Sequence, residues 1–328
     1  MDQAAKKDAV IGVDVGGTKV AAGLVNVHGE ILARTRRPMV ADGDAAAGLN
    51  SVTGAIDALF AENPDARKTV HGIGICAPGP LDPHSGVVIN PPNLKCWRNF
   101  PLADEVSRRY GLAVKVDNDA NAAALAEFLW GAGQGFKNVF YACIGTGIGT
   151  GIILDGRIYL GRTGAAAEGG HVTIDYRGPR CGCGKRGCIE ALASGTAIAR
   201  RAREKLAAEP ELARESALRQ LSGGNLEMIN SEMVGQANAV GDTLAAEILL
   251  ETVELLAVWL GNIVDLLEPE VMIIGGGVVA LLSPYFQELR KRMARHCVNS
   301  RYAEIPLVPA YYGADSGIAG GAALCTAR

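Results

Sequence analysis

Three cysteines and a histidine in the second half of the chain have the types and spacing of metal ligands. Cys181, Cys183 and Cys188 fall within eight residues, and the glycines between them let the chain wrap around one point. Three thiolates need a fourth ligand to complete a tetrahedral zinc site, and His171, ten residues upstream, is the nearest imidazole. A disulfide is less consistent with an odd number of thiols. The pattern therefore predicts a zinc site.

Carboxylates and amides cluster directly after a predicted strand at residues 113–116. The chain continues there as Asp117-Asn118-Asp119-Ala120-Asn121, and α/β folds place active sites at the carboxyl ends of their strands. Further side chains of similar chemistry are Glu168, His171 and Glu190. Such a set suits a polyhydroxylated ligand, because each hydroxyl needs a hydrogen-bond acceptor. Taken singly, each acid would by default be a helix cap or a solvated side chain.

A first glycine turn, residues 16–19, lies between two predicted strands in the run Asp14-Val15-Gly16-Gly17-Thr18-Lys19. It nearly matches a Walker A loop, but the lysine stands one place too late and no helix is predicted to follow. Its backbone N–H groups, hydroxyl and carboxylate still fit a phosphate with Mg²⁺ held through water. A plain hairpin turn is the alternative.

Two more glycine-rich stretches could approach a phosphate or a nucleotide. Residues 145–151 are expected to form a second glycine turn, in which the candidate phosphate contacts are Gly145, Thr146, Gly147 and Gly149. Gly275-Gly276-Gly277 follows a predicted strand and opens a relaxed dinucleotide-binding pattern. A nicotinamide dehydrogenase would also need an acidic residue ~20 positions later, and Glu304 is late for that role. This alternative also leaves the cysteines unexplained.

Composition narrows the class of protein. The 328 residues are 48% hydrophobic with a formal net charge of −3, which excludes a disordered chain and shows no basic field for nucleic acid. Glycine reaches 42 residues, about 13% against a usual ~7%. The first ten residues lack the apolar core of a signal peptide, and no stretch offers ~20 uninterrupted apolar residues. We therefore expect a cytoplasmic protein that binds neither nucleic acid nor membrane.

The periodicity of apolar residues predicts two similar halves. Each half opens with short strands joined by a glycine-rich turn, which suggests an internal duplication of fold. Helical spacing is expected at 48–60, at 243–267 with Asp242 as its cap, and at 316–326. The charge-mixed segment 207–236 is predicted to be solvated helix and loop.

Taken together, these stretches resemble the ROK family of sugar kinases and sugar-responsive repressors, within the actin/hexokinase-like ATPase superfamily. The resemblance runs from Ile11 to about Ala323 outside 207–236, and it is most specific in His171, the cysteine run and Glu190. It implies an α/β, two-lobed actin/hexokinase-like (ribonuclease H-like) fold with duplicated mixed-sheet domains and a small structural zinc loop, 171-190. The implied small N-terminal lobe is 1-121 plus 312-328, and the large C-terminal lobe is 122-311.

The resemblance also implies a role for each motif in phosphoryl transfer from Mg²⁺-ATP to a sugar hydroxyl. Asp119 would be the catalytic base, and zinc would be structural on His171, Cys181, Cys183 and Cys188. The implied sugar-binding residues are Gly79, Asn93, Asn118, Asp119, Glu168, His171 and Glu190. The implied nucleotide contacts are Asp14, Gly16, Gly17, Thr18, Lys19, Gly145, Thr146, Gly147, Gly149, Gly275, Gly276 and Gly277.

The expected acceptor is glucose, because the Asn-Pro-Pro-Asn-Leu stretch leading to Trp97 looks most like the glucokinase branch. N-acetylmannosamine, N-acetylglucosamine and fructose are the alternatives, and a homodimer or homotetramer is expected. A sugar-sensing regulator is the alternative of another class, although thirteen residues before Asp14 are too few for a helix-turn-helix domain. The sequence departs from the family pattern at Ala167, where a glycine is common, and at Gly169, where a bulky aliphatic residue is usual.

Overall fold

The computed structural model describes residues 9–208 and 215–326. Its strands are β1 Ala9–Val15, β2 Lys19–Asn26, β3 Ile31–Pro38, β4 Val70–Ala77, β5 Leu81–Asp82, β6 Val87–Val88, β7 Ala113–Asn118, β8 Val139–Ile144, β9 Ile148–Leu154, β10 Arg157–Ile158, β11 Val271–Gly275 and β12 Leu307–Pro309. The α-helices of those residues are α1 Ala45–Glu62, α2 Ala66–Thr69, α3 Leu102–Tyr110, α4 Asp119–Trp130, α5 Ile189–Ala193, α6 Gly195–Ala208, α7 Ala217–Leu221, α8 Ser231–Ala239, α9 Thr243–Leu267, α10 Val279–Leu282, α11 Phe286–Met293 and α12 Ser316–Thr326.

Two five-stranded sheets share one strand order. The first runs β3-β2-β1-β4-β7 and the second runs β10-β9-β8-β11-β12. In the first sheet, β1 pairs antiparallel with β2 and parallel with β4. The parallel pair needs a long crossover, which contains α1, whereas the antiparallel pair needs only the first glycine turn. The matching order confirms the predicted duplication of fold.

The core of the first sheet lies under α1. Val52, Ile56 and Leu59 of that helix are fully buried and belong to one cluster with the alternate side chains of β1 and β4. Asp44 caps the helix by accepting from the Ala47 N–H at 2.7 Å, which satisfies one of the free donors of the first turn. The predicted helix at 48–60 is therefore confirmed with an additional turn at its start.

The opposite face of the first sheet is covered by α12 at very short range. A Cβ at Gly12 would overlap the Ile318 carbonyl, and a Cβ at Gly74 would overlap the Gly321 carbonyl. Glycine at these positions lets helix and sheet backbones touch. Part of the high glycine content thus serves packing between this helix and the sheet.

The chain divides into two compact units, Met1–Tyr141 with Gly151–Ala167 and Ala310–Arg328, and Ala142–Thr150 with Glu168–Pro309. The helix predicted at 316–326 is confirmed as α12, and the long helix with its Asp242 cap is confirmed as α9. Among the described helices, none has the length and apolar character needed to span a bilayer.

Candidate active site and metal cluster

The polar run after β7 folds into one strand-to-helix turn. The strand continues to Asn118 and α4 begins at Asp119. Asn118 caps the helix, since its Oδ1 accepts from the Asn121 N–H at 2.7 Å. Asp117 accepts from the Asn118 N–H at 2.7 Å and from Asn121 Nδ2 at 3.1 Å. Asp117 and Asn121 are buried, whereas the Asp119 side chain is open to solvent. The cluster therefore contains two buried side chains, Asp117 and Asn121, that hold the turn in place, and one carboxylate, Asp119, that solvent can reach.

Two carboxylates of the first unit share one electrostatic environment. Burial within the protein raises the pKa of the Asp119 carboxyl group, although solvent still reaches the side chain. Burial also raises the pKa of Asp14, and the charge of Asp119 adds to this shift. The positive charges of Lys19 and Arg36 lower the pKa of Asp14 and so offset part of this shift. A raised pKa makes Asp119 a stronger proton acceptor than an ordinary aspartate.

The first glycine turn is a hairpin turn, as predicted. The Gly16 N–H donates to the Lys19 carbonyl at 2.9 Å, and β2 follows directly. A P-loop is therefore excluded, because a P-loop leads into a helix. A Cβ at Gly17 would lie 3.2 Å from the Asn93 carbonyl, which brings two predicted site residues together. Gly79 lies on the surface in the turn after β4 and joins Pro80 through a cis peptide bond.

The second glycine turn is shorter than the expected 145–151. The strand β9 already begins at Ile148, so the turn comprises residues 145–147 and Gly149 lies within the strand. A Cβ at Gly151 would lie 2.8 Å from the Ala120 carbonyl, so that glycine is required by packing on α4. The longer turn was predicted because alternating glycines look the same in a loop and in a closely packed strand.

A carboxylate fixes the second glycine turn, which the sequence did not indicate. Glu190 Oε2 accepts from the Ile148 N–H at 2.9 Å, and a Cβ at Gly147 would lie 2.5 Å from that oxygen. The Gly145 carbonyl accepts from the Gly195 N–H at 2.7 Å, at the start of α6. The turn is thus anchored to α5 through Glu190 and to the start of α6 through Gly195. No spacing signal could have shown this link across 42 residues.

The four predicted metal ligands come together. One ligand atom from each of His171, Cys181, Cys183 and Cys188 lies within 4.8 Å of all the others. The Cys181 Sγ to His171 Nδ1 distance is 3.6 Å, and the Cys183 Sγ to Cys188 Sγ distance is 3.7 Å. Zn–S bonds of about 2.3 Å in a tetrahedron place ligands roughly 3.8 Å apart. The donor set and its spacing therefore fit zinc.

The local backbone explains how four ligands converge. The Cys181 N–H donates to the Lys185 carbonyl at 2.8 Å, and Arg180 and Arg186 form an antiparallel bridge. This makes a small hairpin with Cys181 and Cys183 at its end. Gly187 has a left-handed φ of 63°, and a Cβ there would overlap the Asp175 carbonyl. Only glycine allows the chain to return so closely before Cys188.

The two nitrogens of His171 face different groups. Nδ1 faces the thiol cluster and lies 3.8 Å from Glu190 Oε1, while Nε2 lies 4.0 Å from Glu168 Oε2. The segment that carries Glu168 is held by two hydrogen bonds. The Gly169 N–H donates to Thr150 Oγ1 at 2.9 Å, and Trp259 Nε1 donates to the Gly169 carbonyl at 3.1 Å. Glu168, His171 and Glu190, predicted to act together, are therefore neighbours.

The third glycine stretch opens a cavity of about 550 Å³. Gly276 adopts a φ of 91°, and a Cβ there would overlap the Ile144 carbonyl, so the chain turns sharply after β11. The cavity is lined by Gly277 and by side chains of α8, including Ser231, Glu232 and Gln236. The sequence assigned residues 231–236 to the solvated helix and loop of 207–236, of which 209–214 lie outside the described residues. Residues 231–236 are helical, and Glu232 and Gln236 are exposed where they line the cavity.

Known proteins match nearly the whole chain. A glucokinase from Thermotoga maritima is 35% identical over 319 residues, covering 97% of this chain and 98% of the relative. A xylose repressor from Caldicellulosiruptor bescii is 32% identical over 294 residues, 89% of this chain and 70% of the repressor. The crystal structure of a ROK family glucokinase from Streptomyces griseus, in complex with glucose and AMPPNP, is 35% identical with a TM-score of 0.81 and covers 96% of this chain and 98% of that one.

These likenesses confirm the predicted actin/hexokinase-like α/β fold. The sequence model of the ROK family matches residues 10–328, which include both glycine turns, the cysteine run and α12. With that match and relatives 35% identical over almost the full length, the chain belongs to the ROK family.

Proposed function

We propose that this protein is an ATP-dependent sugar kinase that transfers the γ-phosphoryl group to a sugar hydroxyl, with glucose as the preferred acceptor. The observation that carries the proposal is the Asp119 carboxylate, which is open to solvent and has a raised pKa at the first turn of α4. The full-length likeness to glucokinases supports the same activity.

Asp119 would act as the general base. Phosphoryl transfer is mostly positioning and charge neutralisation, with a carboxylate accepting the proton of the acceptor hydroxyl. The hydrogen bonds of Asp117 and Asn118 fix the strand-to-helix turn that presents this carboxylate. Burial raises its pKa, so it would take the proton more readily than an ordinary aspartate.

The donor would be held by the glycine turns and the cavity at α8. Asp14 could hold Mg²⁺ through water, since a half-buried carboxylate supplies the oxygen ligands that this ion prefers. When bound, Mg²⁺ neutralises part of the phosphate charge. The N–H groups of Gly16 and Gly145 close the two turns. Lys19 and the N–H groups of residues 17–18 and 146–147 would contact phosphates, and Gly277 with Glu232 and Gln236 would surround the nucleoside.

The acceptor would be held by Asn118, Glu168, His171 and Glu190, with Gly79 and Asn93 as further contacts. Zinc on His171 Nδ1 and the three thiolates would be structural, because four protein ligands leave no open position. Fixing Nδ1 leaves Nε2, on the side of Glu168, to orient a sugar hydroxyl. We further propose lobes 1-121 plus 312-328 and 122-311 and a homodimer or homotetramer.

A coupled assay of ADP release across a panel of sugars tests the proposal. The panel contains glucose, mannose, fructose, xylose, N-acetylglucosamine and N-acetylmannosamine, with Asp119→Asn as the matched control. We expect the highest kcat/KM with glucose and loss of ADP release in the variant. Preference for an amino sugar or fructose would correct the acceptor alone. Sugar binding in calorimetry with no ADP release would favour a sugar-responsive regulator.

A further inference from the structure

The strand β3 places an arginine in one row with Asp14. Arg36 pairs with Ala21 across β2 and β3, and Ala21 pairs with Asp14 across β1 and β2. Residues in direct register across a sheet present their side chains on the same face. Arg36 and Asp14 therefore share a face, with only the methyl group of Ala21 between them.

The contacts of neighbouring residues identify this face. Thr35 Oγ1 donates to the Ala55 carbonyl of α1 at 2.9 Å, so odd-numbered residues of β3 face α1. Arg34 forms an ion pair of 3.2 Å with Asp315, directly before α12. Arg36, two residues further along, lies on the face of Arg34, whereas Arg37 lies on the face of Thr35.

The distance along the row suits an arginine. Two inter-strand spacings separate the backbones of β1 and β3, about 10 Å in total, and an extended arginine side chain covers much of this span over the small Ala21. The charge of Arg36 already acts at Asp14, whose pKa it lowers together with Lys19. The guanidinium thus lies within electrostatic reach of the first glycine turn.

Arg36 also differs from Arg34 in its partners. Arg34 is paired with Asp315, but Arg36 is exposed and has neither an ion pair nor a hydrogen bond among the residues that the structure describes. A guanidinium is suited to phosphate because its planar fork can bind two oxygens at once. We propose that Arg36 contacts the phosphate chain of the donor bound at the first glycine turn. This inference rests on the proposed kinase function.

Substitutions of the two arginines that lie on opposite faces of β3 test the contact. Arg36→Ala and Arg36→Lys are compared with Arg37→Ala, the matched control on the other face. We expect Arg36→Ala to weaken ATP binding in calorimetry about fivefold at low salt, with a smaller loss for Arg36→Lys and none for Arg37→Ala. The inhibition constant of adenosine, which carries no phosphate, and the KM for sugar should not change in any variant.

Equal ATP affinities for Arg36→Ala and Arg37→Ala would overturn the contact. So would a change confined to the acid limb of the pH–rate profile, since Arg36 would then act only through the charge of Asp14. Equal losses for ATP and adenosine would indicate a disturbed fold instead. If the wild type binds ATP but releases no ADP with any sugar, the kinase function is wrong and the titrations still decide the role of Arg36. If the wild type binds no ATP, both proposals are wrong.

Discussion

The two sheets have the same strand order but different chemistry at their first hairpins. The turn at residues 16–19 is flanked by Asp14 and Lys19, and Arg36 lies in the same row of the sheet. The turn at residues 145–147 carries no charged side chain. Its backbone is instead held by Glu190 and by the start of α6.

The two turns therefore depend on different interactions: charged side chains surround the first, and hydrogen bonds to other elements hold the second. Around the first turn, a charge can be removed with little effect on the backbone, because the hairpin is made by main-chain hydrogen bonds. Around the second turn, Glu190 links the backbone to the cysteine loop, so loss of one ligand should disturb a larger region. Substitutions in the two regions should therefore change different kinetic and thermodynamic quantities.

The largest effect is expected for Asp119→Asn in the first unit. The amide keeps the shape of the carboxylate but cannot accept a proton, and general-base catalysis is typically worth ~10²–10⁴-fold. We expect kcat to fall by at least that factor with little change in the sugar KM. Steady-state kinetics measure kcat and KM for this variant, with Asp65→Asn as the control at an exposed carboxylate of the same unit. A variant that keeps a substantial share of kcat would show that another group takes the proton.

The pH profile checks the same residue independently. Protonated Asp119 cannot act as a base, and burial raises the pKa of this group above its ordinary value of about 3.9. Activity should therefore be lost as the pH falls through that raised pKa, and the residual activity of Asp119→Asn should lack this acid limb. An acid limb that persists in the variant would assign it to another group.

The next effect is expected for Cys183→Ala in the second unit. The purified wild type should contain about one zinc per chain, and three remaining ligands should hold the metal far less tightly. Because His171 belongs to the cluster and Glu190 adjoins it, we expect a lower Tm and a raised sugar KM. Glu190 also holds the second glycine turn, so we expect a smaller rise in the ATP KM. Elemental analysis, thermal unfolding and kinetics measure these quantities, with Cys297→Ala as the control thiol.

Two results would contradict this prediction in different ways. Active, unchelated protein without zinc would eliminate the metal site. Zinc in the wild type, together with normal sugar binding by Cys183→Ala, would mean that the metal stabilises only the cysteine loop. The proposed coupling to the sugar through His171 would then be wrong.

The sequence predicted those parts of the site in which a residue's role depends on its neighbours in the chain. The cysteine loop and the hairpin at 16–19 follow from spacing and turn chemistry, and both come together as expected. The accessible Asp119 and its buried neighbour Asp117 look alike in sequence, because burial is decided by the surrounding fold.

Long-range contacts account for most of what the sequence missed. The cavity side chains of α8 come from a polar segment with no motif, and only the fold brings them to the same cavity as Gly277. The bond from Ile148 to Glu190 joins residues far apart in the chain. The role of Gly151 in packing on α4 was likewise hidden, since a glycine pattern does not distinguish backbone contact from ligand contact.

A moderate effect is expected for Lys19→Ala. Lys19 is exposed at the start of β2 and lies beside a turn whose backbone N–H groups would hold the phosphates. We expect the ATP KM to rise about three- to tenfold with kcat reduced less, in comparison with Lys68→Ala on the surface. Complete loss of ATP binding would mean that this lysine acts as a P-loop lysine does, despite the hairpin. A moderate loss would support the view that charge near the first turn can be removed without disturbing its backbone.

The smallest effect is expected at Ala167, directly before Glu168. Ala167 has a left-handed φ of 63°, a conformation that costs a residue with a Cβ about 1–2 kcal/mol. Ala167→Gly removes this strain, and the greater freedom of glycine in the unfolded chain offsets part of the gain. We expect the free energy of unfolding to rise by about 0.5 kcal/mol in urea titrations, with an unchanged sugar KM. The adjacent Ala166→Gly, without a positive φ, should instead lose about 0.4–1 kcal/mol of stability, because glycine increases the freedom of the unfolded chain. Equal destabilisation of both variants would mean that the backbone before Glu168 stores no strain, whereas a changed sugar KM in Ala167→Gly alone would show that this strain positions Glu168.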